Sequence, residues 1–430
     1  MEWKEAVILA LNLAIFVTIA ILFLMGNSDY RLKNIYLPQF DGFRGFFCFT
    51  ILIIHHHFYY VNIPSNIGYF TMHSFFIMSS FLITRTLMID KKRSDSFKTF
   101  FVKFYIKRTL RIFPVYFAYL AFTVFIALLT ARTLYKPILG IFYEIKYFGW
   151  MLLSFTYNFK DLYCLFTGDI YNKSLVFPHL WSLSLEEQFY IIVPFMIYFM
   201  SEKAIKRLCI AMIILFPIIR IIGFNWLGTL TDDNMHRSFI LYRCTIFQYD
   251  AFFYGTALAL FDVKWSDITM NRVFYLLLFI FILTVPVNGW ILHQRTGENF
   301  IHIITSYEFM TRNGQYIYID TLVNLLCVSF FYICFKDETR FNFFKNRFIV
   351  DVGARITYSS YVYQYIFIIP VLIFIKPYID STHGIVQFTY ELVSILLSIS
   401  CLLLLSHFSY NSLESHFLKK KDKYLAKYKK

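Results

Sequence analysis

Apolar stretches of 17 or more residues recur along nearly the whole 430-residue chain, separated by short polar clusters. A helix needs about 20 mostly apolar residues to cross the hydrocarbon of a bilayer. Inside it, only structures that satisfy their own backbone hydrogen bonds survive. The pattern therefore predicts an all-α, polytopic transmembrane helical bundle. Only 16% of residues are charged, against about a quarter in soluble domains.

Candidate spans fall near 6–25, 43–62, 69–89, 112–131, 184–200, 208–224, 239–261, 273–292, 317–335, 356–376 and 387–408. The region 139–157 is apolar too, but Glu144 and Lys146 interrupt it. It reads as a twelfth span or as an interfacial, re-entrant piece.

Basic clusters decide between these, because cytoplasmic loops carry the excess of Lys and Arg. Lys91 to Arg111, Lys203 to Arg207, Lys336 to Arg355 and the tail Lys419 to Lys430 all fall on one side only if 139–157 does not cross. The expectation is about eleven spans, ten of them core, with the N-terminus outside and the C-terminus cytoplasmic. The stretch Ala6–Met25 reads as a retained helix. The domain reading is residues 1–37 as an extra N-terminal helix and linker, 38–417 as the membrane domain and 418–430 as a basic cytoplasmic tail.

The net charge is +14, but it sits in short loops. No basic surface on a soluble domain is present, so a nucleic-acid partner is not expected. The seven cysteines show no C-x-x-C spacing, which argues against a disulfide frame or a metal centre.

Ionisable residues inside apolar stretches are costly and mark functional sites by default. Arg44 and His55 lie eleven residues apart in one such stretch, which on a helix is about 16 Å of rise and within about 20° of the same face. An imidazole titrates near neutrality and takes a proton from an alcohol. The bland alternative is a core histidine bonded to a neighbouring helix. His56 and His57 point to other faces, and three consecutive histidines on one helix do not chelate one ion.

Arg108 and Arg111, at i and i+3, share a face and suit phosphate; ordinary positive-inside decoration is the competing reading. Arg44, at the same expected depth, favours a nucleotide-bearing group such as acyl-CoA. His179, Trp181, Ser182, Glu186, Glu187 and Gln188 form the densest polar and aromatic cluster. One carboxylate there suffices to favour a helix start; two exceed that need, leaving Glu186 or Glu187 to orient an imidazole or contact a hydroxyl. Asp250, with Arg243 two turns earlier, reads as structural glue more than catalysis.

Taken together these segments resemble the acyltransferase 3 family of integral-membrane acyltransferases, over about residues 38 to 417. The matching pieces occur in order: Asp41-Gly42-Phe43-Arg44-Gly45 with His55 beyond; Phe75-Phe76-Ile77-Met78-Ser79-Ser80-Phe81-Leu82-Ile83; Arg108-x-x-Arg111-Ile112-x-Pro114; His179-x-Trp181-Ser182-Leu183-x-x-Glu186-Glu187-Gln188; and Ser359-Ser360-Tyr361-Val362-Tyr363-Gln364. Ser80 stands where that family usually has Gly, Gln364 where it often has His, and His416 where Pro usually follows the terminal Glu, here Glu414.

The resemblance implies ten core spans and transfer of an acyl group, commonly acetyl, from cytoplasmic acyl-CoA to a hydroxyl of a surface or exported glycan. It implies His55 as the catalytic histidine, with Arg44, Arg108 and Arg111 as essential arginines, and a home in the bacterial cytoplasmic (inner) membrane. Asp41, His179, Trp181, Ser182, Gln188 and Asp250 are expected to bind substrate or hold structure. The expected partners are membrane lipid, acyl-CoA (acetyl-CoA foremost) as acyl donor, and a carbohydrate acceptor. A transporter for a glycan or lipid precursor stays open as the rival; against it, neither internal repeats nor paired helix breaks are found. Acyl-CoA binding without turnover is a third possibility.

Overall fold

Helix is the answer the chain returns wherever its conformation is described. The structure is a computed structural model, and it describes residues 38–56, 65–94, 96–130, 136–168, 176–260, 267–305, 316–336 and 341–426. In chain order the helices are α1 (Pro38–Ile54), α2 (Ser65–Arg93), α3 (Phe97–Thr130), α4 (Lys136–Leu153), α5 (Lys160–Thr167) and α6 (Leu180–Phe199). There follow α7 (Glu202–Gly228), α8 (Asn234–Arg243), α9 (Asp250–Leu260), α10 (Asp267–Thr296), α11 (Phe300–Thr305) and α12 (Tyr316–Lys336). The last are α13 (Arg347–Arg355), α14 (Thr357–Pro370), α15 (Lys376–Asp380), α16 (Gly384–Ser409) and α17 (Ser415–Ala426). Single π turns at Val371–Ile375 and Tyr410–Glu414 join α14 to α15 and α16 to α17. No strand occurs among the described residues.

Among the described residues, six helical runs are long and apolar enough to cross a membrane: Ile67–Arg93, Phe97–Leu129, Glu202–Gly228, Thr269–Thr296, Thr357–Asp380 and Gly384–Leu425. The protein is thus an all-α, multi-pass membrane bundle. The expected stretch 6–25 lies outside the described residues, as does the end of 43–62 beyond His56. Two local expectations are corrected. The stretch 239–261 is not one continuous helix but α8 and α9, broken over 244–249. The basic stretch from Lys98 to Arg111 is not a loop but the first four turns of α3. Residues 139–157 are helical through Leu153, with Glu144 buried rather than breaking the helix.

The chain forms two compact units. The first holds α1, α2 up to Met78, α10 to α13 and Pro370–Cys401. Its core is aromatic: the fully buried Phe43 ring lies 4.4 Å from Phe344 and 4.9 Å from Phe330. Here α1 crosses α13 at backbone contact. A Cβ on Gly42 would run into the carbonyl of Phe344, and one on Gly45 would stand 2.8 Å from the carbonyl of Ile349. A Cβ on Gly353 would collide with the carbonyl of Asp41. Small residues let helix backbones approach this closely in membranes. The side chain of Asn346 starts α13 by accepting from the Phe348 N–H at 3.0 Å.

The second unit holds α2 from Ser79, α3 to α9, Tyr358–Ile369 and the chain from Leu402. Phe189 stacks on Phe252 with ring centroids 4.7 Å apart. Lys91 Nζ donates to the carbonyls of Ile197 (2.7 Å) and Met200 (3.2 Å), a cation at the C-terminus of α6 where the helix dipole favours one. Pro114, Pro194 and Pro217 lie inside helices, as membrane helices tolerate.

Gly353→Ala tests the α1–α13 crossing. The substitution gains about 1 kcal/mol of helix propensity, but overpacking costs roughly 1–3 kcal/mol and here the obstacle is rigid backbone. The thermal unfolding midpoint in detergent is expected to fall for Gly353→Ala and Gly42→Ala. Gly149→Ala, whose Cβ meets nothing nearer than 3.8 Å, is expected to leave it unchanged or raise it.

Candidate active site

The glycines that bring α1 onto α13 bracket an arginine. In Asp41-Gly42-Phe43-Arg44-Gly45, Phe43 points into the aromatic core while Arg44 Nη1 donates to Asp41 Oδ1 at 2.9 Å. Asp41 lies in the first turn of α1, where the helix dipole favours an anion. It orients the guanidinium by one nitrogen only, and the Arg44 side chain is 23% exposed.

At the other end of α1, the His55 N–H donates to the Ile51 carbonyl at 3.1 Å. The helical pattern thus runs one residue past Ile54, and Arg44 and His55 share one face three turns apart. His55 is half-buried. Its neighbour His56 is buried, with Nδ1 2.7 Å from the Leu52 carbonyl of its own helix. His57 lies outside the described residues.

In the second unit, α3 and α6 face each other with charge and aromatic surface interleaved. The Arg108 guanidinium lies over the rings of Tyr190 (5.1 Å) and Phe104 (5.8 Å), stacking of the kind cations favour. The Tyr190 hydroxyl donates to Glu186 Oε2 at 2.7 Å. Arg108 also acts electrostatically on Glu187, whose Oε1 is buried with no hydrogen-bond partner among the described residues. Arg111 is exposed and acts electrostatically on Glu414. Glu414 lies in the Tyr410–Glu414 π turn and is hydrogen-bonded by Ser359. π turns often mark functional positions.

The other residues of the 179–188 segment spend their polar atoms on neighbouring chain. His179 is buried; its Nε2 lies 3.0 Å from the Val362 carbonyl and its ring stacks on Tyr365 at 4.9 Å. Its own carbonyl accepts from the Tyr361 hydroxyl (2.8 Å) and from Ser182 Oγ (3.2 Å). Trp181 packs against Tyr242 at 4.9 Å. Gln188 Nε2 donates to the carbonyl of Phe155 and to Asn158 Oδ1, both at 2.9 Å, while its Oε1 accepts from Thr245. Gln364 is fully buried and donates to the Tyr361 carbonyl at 2.9 Å.

Asp250 pairs with a residue other than the one its sequence neighbourhood offers. Arg220 meets it with two nitrogens, Nη1–Oδ1 at 3.0 Å and Nη2–Oδ2 at 2.9 Å, both side chains fully buried. Arg243 instead holds Asp161 at 3.0 Å and lies over the Phe239 ring. The cause is the break between α8 and α9, which removes the shared helix face that the spacing of Arg243 and Asp250 assumes. In the same unit Glu144 takes Lys160 Nζ at 2.5 Å and the Tyr157 hydroxyl.

Reading the sequence missed one constellation of the first unit. His73 on α2 is fully buried, with Nε2 3.2 Å from Asp320 Oδ1 and Nδ1 2.6 Å from Asn324 Oδ1, both on α12. The signal was present, since His73 and Asp320 each interrupt an apolar span. No group of three or more His, Cys, Asp or Glu side chains suited to a metal occurs among the described residues.

The family model described as "Acyltransferase domain" matches residues 37–407. An O-acetyltransferase OatA of Staphylococcus aureus is 24% identical over 410 residues, covering 94% of this chain and 61% of the relative. The chain thus spans less than two thirds of that relative's length. A peptidoglycan O-acetyltransferase OatA of Listeria monocytogenes is 25% identical over 189 residues, 43% of this chain and 28% of the relative. No solved structure matches.

The Arg220–Asp250 pair makes a clean prediction. Removing one partner strands a buried charge at a cost of about 3–5 kcal/mol, whereas replacing both by apolar groups is often neutral. Arg220→Leu and Asp250→Leu are each expected to lower the folded yield and unfolding midpoint sharply. The double replacement is expected to recover most of the loss, read by fluorescence-detected size exclusion after heating.

Proposed function

The chain belongs to the acyltransferase 3 family, whose model spans residues 37–407, and from that premise we propose that it is a membrane O-acyltransferase. Its donor is acyl-CoA, acetyl-CoA by the names its relatives carry, and its acceptor is a hydroxyl of a cell-surface or exported glycan. The observation that carries this reading is the single face of α1, with a partly exposed guanidinium at one end and a half-buried imidazole three turns away.

The donor brings a thioester and a set of phosphates, and the residues present suit both. Guanidinium groups bind phosphate through paired charge-assisted hydrogen bonds. Arg44 is held by Asp41 through one nitrogen and keeps its other donors for a ligand. Arg111 is exposed, and Arg108 is steadied by the Tyr190 ring. Arg44, Arg108 and Arg111 are each assigned to the donor in this reading, with the Arg44 end of α1 toward the cytoplasm. His55 takes the proton of the acceptor hydroxyl as its oxygen attacks the thioester carbonyl. The C–O bond forms, the C–S bond breaks and the thiol leaves. Glu186, through Tyr190, and Glu187 shape the electrostatics around Arg108.

Proteoliposomes given labelled acyl-CoA and a panel of glycans test the proposal, with products read by mass spectrometry. His55→Ala is expected to cut transfer by about 10²–10⁴-fold, the range a general base contributes, in protein that remains folded. Each charge-assisted contact is worth about 1.5–3 kcal/mol, so Arg44→Gln and Arg111→Gln are each expected to raise the donor KM by roughly 10–100-fold. Undiminished transfer by His55→Ala would overturn the role of the imidazole. Glycan uptake in the absence of acyl-CoA would point to a permease instead.

A further inference from the structure

In the second unit, each arginine of Arg108-x-x-Arg111 has a carboxylate from another element within its electrostatic reach. Both α6 and the Tyr410–Glu414 π turn pack on α3, which carries the two arginines. Glu187 of α6 lies in the field of Arg108, and Glu414 of the π turn in that of Arg111. In both carboxylates Oε1 is buried without a hydrogen-bond partner among the described residues. Ser359 holds Glu414 by a hydrogen bond. The pattern is thus repeated one helical turn apart, with a guanidinium on α3 and an under-bonded carboxylate beside it.

The groups facing Glu187 are Arg108 and Tyr116 from α3, Glu186 and Tyr190 from its own helix, and Tyr358 from α14. Those facing Glu414 are Arg111 from α3 and Tyr358, Ser359 and Tyr363 from α14. The tyrosine hydroxyls are engaged elsewhere. Tyr116 donates to the Leu152 carbonyl at 2.8 Å, Tyr358 to the Ile112 carbonyl at 3.0 Å and Tyr190 to Glu186 at 2.7 Å. Tyr363 meets Ser409 Oγ at 3.0 Å. For both carboxylates the compensating charge therefore comes from the neighbouring arginine.

Burial orders the two kinds of group. Arg111 is exposed and Arg108 half-buried, while Glu414 is buried. A ligand entering from solvent meets the Arg111 guanidinium before it meets the Glu414 carboxylate. A phosphate monoester brings a charge of about −1.5 to −2 at neutral pH. Docked on these arginines, it claims their hydrogen bonds and sets like charge beside each carboxylate. A nearby like charge and burial both disfavour an ionised carboxylate. The arginines favour the phosphate's dianion, so the carboxylate is the group that yields. A proton from solvent neutralises it and gives it an O–H donor.

Resting on the donor reading above, we propose that Glu187 and Glu414 are counter-ions of Arg108 and Arg111 that donor phosphate displaces, each taking up a proton from solvent as the donor binds. The empty site then holds compensated arginines, which a membrane bundle requires of its charges. The occupied site holds arginine–phosphate contacts beside neutral carboxyls. The two carboxylates thereby set donor affinity and select for phosphate. A thioester without phosphates leaves them ionised and gains nothing from the arginines. Both residues act through the arginines, and no contact with the reacting atoms is assigned to them.

The first arm of the test needs no turnover. CoA is titrated into the full chain in lipid nanodiscs, by calorimetry in two buffers of different ionisation enthalpy. At about pH 8 the CoA phosphates are fully ionised and exchange no protons on binding. Uptake of about one proton or more per CoA is expected, with Kd rising up to roughly 10-fold per pH unit for each proton. Pantetheine, which lacks the phosphates, is expected to bind without uptake or too weakly to measure. CoA binding with no uptake and a Kd flat with pH overturns the proposal and leaves the donor reading intact, as does equal uptake with pantetheine. CoA that fails to bind the folded protein overturns the donor reading, and the proposal with it.

The second arm assigns the protons. Gln is close in shape to a neutral carboxyl, so Glu187→Gln and Glu414→Gln are each expected to remove part of the uptake. Each is also expected to tighten CoA binding roughly 3–10-fold at about pH 8 and to change it little near pH 6, where the parent carboxylates accept protons readily. A merely structural role predicts the reverse. Folded variants that bind CoA more weakly at every pH, with uptake as in the parent, overturn the assignment.

Discussion

Hydrocarbon offers no water to an unpaired polar group, and the architecture of this chain follows from how it meets that constraint. Backbone groups meet it by folding into helices. Side-chain charges meet it by finding one another across helices: Arg220 with Asp250, Lys160 with Glu144, Arg243 with Asp161, and His73 with Asp320. Each pairing joins segments distant in sequence, so the ionisable residues act as addresses that specify which helix meets which. Buried pairs seldom add net stability over apolar packing, yet they punish the wrong partner severely.

The same constraint separates structural from chemical polar groups. His56, His179, Ser182 and Gln188 each make at least one hydrogen bond to a nearby carbonyl or amide. Arg44, His55 and Arg111 retain exposure, and Glu187 and Glu414 each keep a buried oxygen without a hydrogen bond among the described residues. Groups in that second class retain capacity for a ligand or a proton. The same distinction sets half-buried His55 apart from buried His56.

The D-G-F-R-G motif illustrates how packing and chemistry are fused. Its glycines serve the backbone crossing of α1 on α13, its Phe anchors the aromatic core, and its Asp and Arg form a part-buried ion pair. A rigid crossing aims Arg44 without relying on a loop, which is how well-built sites gain positional accuracy.

Much was legible in the residues alone. Apolar length predicted helices and a membrane, because hydrocarbon thickness and helix rise are fixed quantities. The eleven-residue spacing of Arg44 and His55 placed them on one face, since that geometry is local to one helix. Partnership was not legible. The spacing of Arg243 and Asp250 suggested a pair, but the helix break over 244–249 sent them to Asp161 and Arg220. His73, Asp320 and Asn324 passed unremarked because 251 residues separate the nearest hydrogen-bonded members. Periodicity along one helix is a property of sequence, whereas meeting across helices is decided only when the apolar faces pack and each buried charge must find its complement.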